Sequence, residues 1–193
     1  QKGTEISNIE SKFNGKVKYT NIKISTDSNG NLINMSRNAT LCILDDNEKE
    51  KAKHRLPFGS KLKLKDDSKV KIGDILAEWD PFTLPIIAQI DGYVVFKDLE
   101  EGVTTREIID ESTGLSSNIV MDWKQQAKNQ NLVPRLELHD KKNKGDILVL
   151  ENGSSASYEL TADSIIGVNN EIKVKEGDVI ARVPKESSKT KDI

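Results

Sequence analysis

The sequence predicts a nearly all-β chain built as two consecutive units of one design. Three observations carry that reading. Apolar residues alternate with polar ones at period two, turn-forming residues break these runs every few positions, and one strand–turn–strand signature occurs twice.

The first alternating run, Gly15-Lys16-Val17-Lys18-Tyr19, sets Val17 and Tyr19 on one face of a strand. Asp27-Ser28-Asn29-Gly30-Asn31 then has the composition of a tight turn. Leu41-Cys42-Ile43-Leu44 is the next apolar run, closed by Asp45-Asp46-Asn47. Lys61-Leu62-Lys63-Leu64-Lys65 alternates again and ends at Asp66-Asp67-Ser68. Pro81 and Pro85 interrupt ladder pairing and predict a corner, with a hairpin tip between Asp80 and Pro85. Ile86 to Phe96 reads as strand, turn at Asp91-Gly92, and strand. Asn152-Gly153 and Asn169-Asn170 mark later turns, and Glu171-Ile172-Lys173-Val174-Lys175 is a further alternating run. Helical signal is confined to a turn or two between Trp123 and Asn131.

The repeat is most visible in Lys69-Val70-Lys71-Ile72-Gly73-Asp74-Ile75-Leu76-Ala77. It matches Lys173-Val174-Lys175-Glu176-Gly177-Asp178-Val179-Ile180-Ala181 at an offset of 104 residues. The same offset pairs Leu56 with Leu160 and Ser60 with Ser164. Leu41 matches Leu136, and Asn14-Gly15-Lys16-Val17 matches Asp91-Gly92-Tyr93-Val94, in the same order along the chain. Gly73 and Gly177 suit a positive φ, and the Asp after each suits a tight turn. The expected domains are residues 1–85 and 86–193.

Composition narrows the function classes. Of 193 residues, 35% are apolar and 31% charged, a polar balance that fits two small β-domains with much surface. The net charge of −2 argues against a dedicated nucleic-acid binder. The single cysteine, Cys42, allows no disulfide within the chain and fits a reducing, cytoplasmic setting; its apolar neighbours predict a buried thiol. No apolar run reaches the ~18 residues that suggest a membrane span. The start, Gln1-Lys2-Gly3-Thr4, lacks an initiator Met and any signal-peptide pattern, so the chain reads as a fragment of something longer.

A search for chemistry finds little. His54 and His139 have no ligand partners at metal spacing, and phosphate-binding or nucleophile-elbow motifs do not occur. Asp45-Asp46 and Asp66-Asp67 read as solvated turns, and Trp79 reads as a core anchor. Charge is uneven, however. Lys49 to Lys71 holds nine Lys/Arg against three Asp/Glu, and Asp98 to Gly114 holds six Asp/Glu against one Arg. Lys49, Lys51, Lys53, Arg55, Lys61, Lys63 and Lys65 are therefore candidates for a partner-contact surface, and the acidic stretch is a second candidate.

The repeated strand and its proline corner resemble the hammerhead of the barrel-sandwich hybrid fold found in biotinyl and lipoyl carrier domains. Those carriers present a lysine at the hairpin tip. No lysine lies between Lys71 and Lys97, so the swinging-arm chemistry is missing. A stand-alone β-domain that binds a protein partner is the other alternative.

A closer resemblance runs along the whole chain. It is carried by Ser36-Arg37-Asn38-Ala39-Thr40-Leu41, His54-Arg55-Leu56-Pro57-Phe58-Gly59 and Asp110-Glu111-Ser112-Thr113-Gly114-Leu115-Ser116-Ser117. Most specific are Trp79-Asp80-Pro81-Phe82-Thr83-Leu84-Pro85-Ile86 and the closing run from Arg182 to Ile193. These resemble the insertion that interrupts the trigger loop in the β′ subunit of proteobacterial RNA polymerase. Val120-Met121-Asp122-Trp123-Lys124-Gln125-Gln126 is similar to the alphaproteobacterial branch.

The resemblance implies an all-β fold of two tandem sandwich-barrel hybrid motifs, the second with a C-terminal tail leading to the trigger helix. It implies a non-catalytic module that modulates trigger-loop folding, elongation, pausing and transcript cleavage. The chain would be enzymatic only as part of a nucleotidyltransferase, with no catalytic, cofactor or metal residue of its own. The polymerase's magnesium and zinc would be bound elsewhere in β′. The implied partners are the β, α and ω subunits and the rest of β′, with downstream DNA and secondary-channel factors as further candidates. No membrane and no small-molecule ligand is expected, and the implied location is the bacterial cytoplasm at the nucleoid.

Overall fold

The computed structural model describes residues 6–185. The chain divides after Pro81 into two units, each with its own core. The expected division after Pro85 differs because Thr83–Ile87 is a strand of the second unit.

Unit 1 contains β1 (Ser7–Glu10), β2 (Gly15–Thr20), β3 (Ile24–Thr26), β4 (Leu32–Asn34), β5 (Thr40–Leu44), β6 (Glu50–Arg55), β7 (Lys61–Leu62), β8 (Lys69–Val70) and β9 (Ile75–Trp79). They form two antiparallel sheets in the orders β1-β9-β7-β4-β3 and β6-β5-β2-β8. Unit 2 contains β10 (Thr83–Ile87), β11 (Gly92–Lys97), β12 (Thr105–Ile109), β13 (Ser116–Val120), β14 (Arg135–His139), β15 (Ser157–Glu159), β16 (Ile165–Ile166), β17 (Lys173–Val174) and β18 (Val179–Pro184). Its sheets run β10-β18-β16-β13-β12 and β15-β14-β11-β17. Adding nine to each strand number of unit 1 reproduces unit 2, so the repeat in the sequence is a repeat of topology. The predicted all-β class is what the structure shows. Two antiparallel sheets per unit are consistent with a sandwich-barrel arrangement, and among the described residues helix is limited to a 3-10 turn at Ala127–Asn129.

The shared signature has a definite task in both units. Gly73 and Gly177 sit at φ +95° and +99°, where a side chain would strain the backbone. The Asp74 carboxylate accepts the Lys71 N–H at 2.9 Å, and that of Asp178 accepts the Lys175 N–H at 2.8 Å. Gly73 then donates to the Ser11 carbonyl, and Gly177 to that of Ala88. Each turn thus fastens the strand that follows to the one that opens its unit. Gly15 and Gly92 open β2 and β11 for a steric reason. A Cβ at Gly15 would run into the Leu44 carbonyl oxygen, and one at Gly92 would lie 2.6 Å from Leu148 Cδ1.

Period-two alternation can bury one face of a strand. In β2 it turns Val17 and Tyr19 inward and leaves Lys18 and Thr20 outside. Leu41 and Ile43 of β5 and Leu136 and Leu138 of β14 are fully buried at matched places. The Tyr19 hydroxyl donates to the Leu64 carbonyl at 2.6 Å, and burial, with the Asp66 charge nearby, pushes its pKa up to about 12.

Three expectations need correction. The segment from Asp80 to Pro85 is not a hairpin tip: β9 pairs with β1 and β7, whereas β10 pairs with β18. Of Lys61 to Lys65, only Lys61–Leu62 is strand; the chain bends at Lys63 and Leu64 and runs into the turn at Asp66-Asp67. Trp79 is only half-buried and lies outside the core cluster. Trp123 is the aromatic anchor of unit 2, 8% exposed, with its indole N–H donated to the Leu132 carbonyl at 3.1 Å.

Candidate interaction surface

The candidate cations all lie in unit 1, but the fold divides them between its two sheets. Lys51, Lys53 and Arg55 alternate along β6, the outer strand of its sheet, with Ala52 and His54 turned the other way. Lys49 lies at the end of the preceding turn, which Asp45 organises. The Asp45 carboxylate accepts the Lys49 and Asn47 N–H groups, both at 2.9 Å, and the Lys49 bond leads in holding its pKa below the usual carboxylate range.

Strand pairing adds cations that lie far away in sequence. Cys42 stands between Lys18 of β2 and Lys53 of β6, and Lys16 pairs with Lys69 of β8. The outer face of this sheet therefore carries Lys16, Lys18, Lys53, Arg55 and Lys69 around Cys42. Some of this charge is neutralised locally. Lys16 lies 3.7 Å from Glu48, and Lys18 lies 3.3 Å from Asp67 and 3.7 Å from Asp66. Among the described residues no carboxylate pairs with Lys51 or Lys53. Arg55 reaches the Arg37 carbonyl at 3.5 Å, and the Arg37 guanidinium lies 4.3 Å above the Phe58 ring. Cys42 is buried, as expected; burial, aided by its bond to Glu50, pushes the thiol pKa up and keeps it protonated.

Lys61, Lys63 and Lys65 belong elsewhere. Lys61 is on β7 opposite Glu78, and Lys63 is committed to Glu78 at 2.8 Å. Neither Lys61 nor Lys63 extends the first sheet's cationic face.

In unit 2 the position matching Cys42 is Glu137, at the centre of β14. Its side chain is 11% exposed, and the carboxylate accepts Arg135 Nε at 2.9 Å, with His139 Nε2 also at 2.9 Å. Burial raises its pKa, but these two bonds, together with the charges of Arg135 and Lys97, outweigh burial and hold it below the usual glutamate value. The other ring nitrogen of His139 lies 3.0 Å from the Gly145 carbonyl oxygen, and Asp98 joins from the far side, 3.6 Å from Arg135. Sequence reading missed this network, although Arg135, Glu137 and His139 at period two were its visible signal. His54 is half-buried on β6. Among the described residues no group of three or more His, Cys, Asp or Glu side chains gathers as a metal site. No helix among them is long and apolar enough to cross a membrane. The closing run from Glu186 to Ile193, with its tail leading to a trigger helix, lies outside the described residues.

Comparison with known proteins returns consistent relatives. The chain is 42% identical over 192 residues to the DNA-directed RNA polymerase subunit β′ of Rickettsia typhi. Identity is also 42% with that of Rickettsia prowazekii and 41% with that of Rickettsia conorii, again across the whole chain. The chain spans only 14% of the length of these relatives, and they are alphaproteobacterial, the branch its Val120–Gln126 run suggested. No protein-family model matches it.

Proposed function

We propose, from homology along its whole length to one segment of the β′ subunit of bacterial DNA-directed RNA polymerase, that this chain is the non-catalytic insertion in the trigger loop. The observation that carries the proposal is full-length similarity to a small, continuous part of β′, joined to a duplicated β-fold. Two sandwich-barrel hybrid motifs in tandem are what the resemblance in the sequence implies.

A module tethered in a mobile loop moves when that loop folds. Each contact it makes in one state alone biases the equilibrium between open and folded loop. A bias of about 1.4 kcal/mol changes the population ratio tenfold. Modest surface contacts therefore suffice to tune elongation, pausing and transcript cleavage, with nucleotide transfer left to the rest of the polymerase. The β6 face, with Lys51, Lys53 and Arg55 exposed, is the contact surface the geometry favours. Its partners would be acidic surfaces of other polymerase subunits or the backbone of downstream DNA. The setting would be the bacterial cytoplasm, and any metal chemistry would reside elsewhere in β′.

The test is reconstituted core polymerase in which this segment is replaced by a short Gly/Ser linker. Continued polymerisation with altered rates of elongation, pausing or cleavage is expected. Rates identical to the unmodified enzyme would refute the modulatory role.

A further inference from the structure

One of the elements in which unit 2 departs from unit 1 is a hairpin. The β3–β4 hairpin of unit 1 has strands of three residues, closed by the Asp27 turn: Asp27 Oδ1 accepts the Asn29 and Asn31 N–H groups. Its counterpart in unit 2, β12–β13, has strands of five residues and runs beyond the core. Thr105 and Val120 are buried at its base. Toward the tip the apolar residues are not covered: Ile109 is 61% exposed and Leu115 is 70% exposed. They sit on either side of the tip turn, where Asp110 donates its N–H to the Leu115 carbonyl. That turn is well built. The Asp110 carboxylate accepts the Ser112 N–H at 2.9 Å, and Gly114 takes φ +73°.

The extra length thus presents two large apolar side chains near the tip of a two-stranded arm, Ile109 on the face it shares with Ser116 and Leu115 on the other. Large apolar side chains left in water are costly unless something covers them. The surrounding charge indicates what does. Glu107 and Glu111 flank the pair, and Glu100 and Glu101 stand at the base, all exposed. Nucleic-acid phosphate would be repelled by this arm, and an acidic protein would be too.

We propose that the β12–β13 hairpin is a docking arm. Its tip, with Ile109 on one face of the ribbon and Leu115 on the other, enters an apolar cleft rimmed by lysine and arginine on a protein surface of the polymerase. This rests on the assignment to β′. The surface is distinct from the basic β6 face of unit 1 and opposite to it in sign.

The experiment places a photo-reactive phenylalanine analogue at residue 115 in β′ within assembled polymerase, with Val149, also exposed in unit 2, as the control position. A crosslink from residue 115 to a polymerase segment bearing Lys or Arg, absent from residue 149, is expected. The double variant Glu107→Lys, Glu111→Lys reverses charge on exposed side chains and leaves the Asp110 turn intact. It should lower crosslink yield about tenfold, as like charges then face each other. An active polymerase that yields no protein crosslink at residue 115, or one to nucleic acid, overturns the docking arm. So does a protein crosslink indifferent to the charge reversal. A β′ carrying this chain that fails to assemble overturns the assignment itself, and the arm with it.

Discussion

Replacing Trp123 tests how unit 2 is held together. The side chain is 8% exposed, and tryptophan buries ~150–250 Å² on folding, so on the order of 180 Å² leaves water here. At ~25 cal/mol per Å² that is worth about 4–5 kcal/mol, an upper bound because the unfolded chain already buries part of it. The indole hydrogen bond to the Leu132 carbonyl adds about 1 kcal/mol. Trp123→Ala should therefore cost about 3–5 kcal/mol. Trp123→Phe, which keeps most of the apolar contact and loses the N–H, should cost about 1–2 kcal/mol. Trp79→Ala is the contrast: a half-buried side chain outside the core cluster should cost about 1 kcal/mol. Urea unfolding followed by circular dichroism measures all three through the transition midpoints. A smaller loss at Trp123 than at Trp79 would refute the assignment of Trp123 as anchor.

Two further predictions concern titrating side chains. Glu137 has its pKa lowered in the folded state, so its contribution is present above the ordinary carboxylate range and lost as pH falls through its folded pKa. Stability should decline on acidification below about pH 4, and Glu137→Gln should flatten that decline when urea midpoints are compared across pH. Tyr19 has the opposite sense: its raised pKa leaves its contribution whole below the ordinary phenol value and removes it as pH climbs toward about 12. Tyr19→Phe should cost about 1–3 kcal/mol at neutral pH, by leaving the Leu64 carbonyl without its donor, and should lessen the alkaline loss in thermal melts.

Much of the fold was legible because its determinants are local. Alternation in β2 and the turn at Asp27 are statements about neighbours, and both are realised as read. The repeat was legible because a backbone turn at Gly73 and Gly177 tolerates few other residues. Pairing was not legible, since β10 bonds to β18 almost one hundred residues away and no local pattern encodes that partner. The candidate surface suffered for the same reason. A run of cations from Lys49 to Lys65 looked continuous along the chain, yet strand order separates Lys53 from Lys63 and brings Lys18 beside the Cys42–Lys53 pair. Trp123 was missed because its anchor, the Leu132 carbonyl, lies across an irregular loop with no periodicity to reveal it.

The pairing of first and last strands within each unit has a consequence for how such a unit can be housed. Ser7 is opposite Trp79 in the β1–β9 ladder, and Thr83 is opposite Pro184 in the β10–β18 ladder. Cross-strand neighbours in an antiparallel pair stand about 4.5–5.5 Å apart, close to the spacing of consecutive residues along a chain. Each unit therefore begins and ends at a pinched neck. To the surrounding polypeptide it is little longer than a single peptide step, however large the unit itself. A loop can gain such a unit without its own ends being forced apart, and can swing with the load attached while its local geometry is kept.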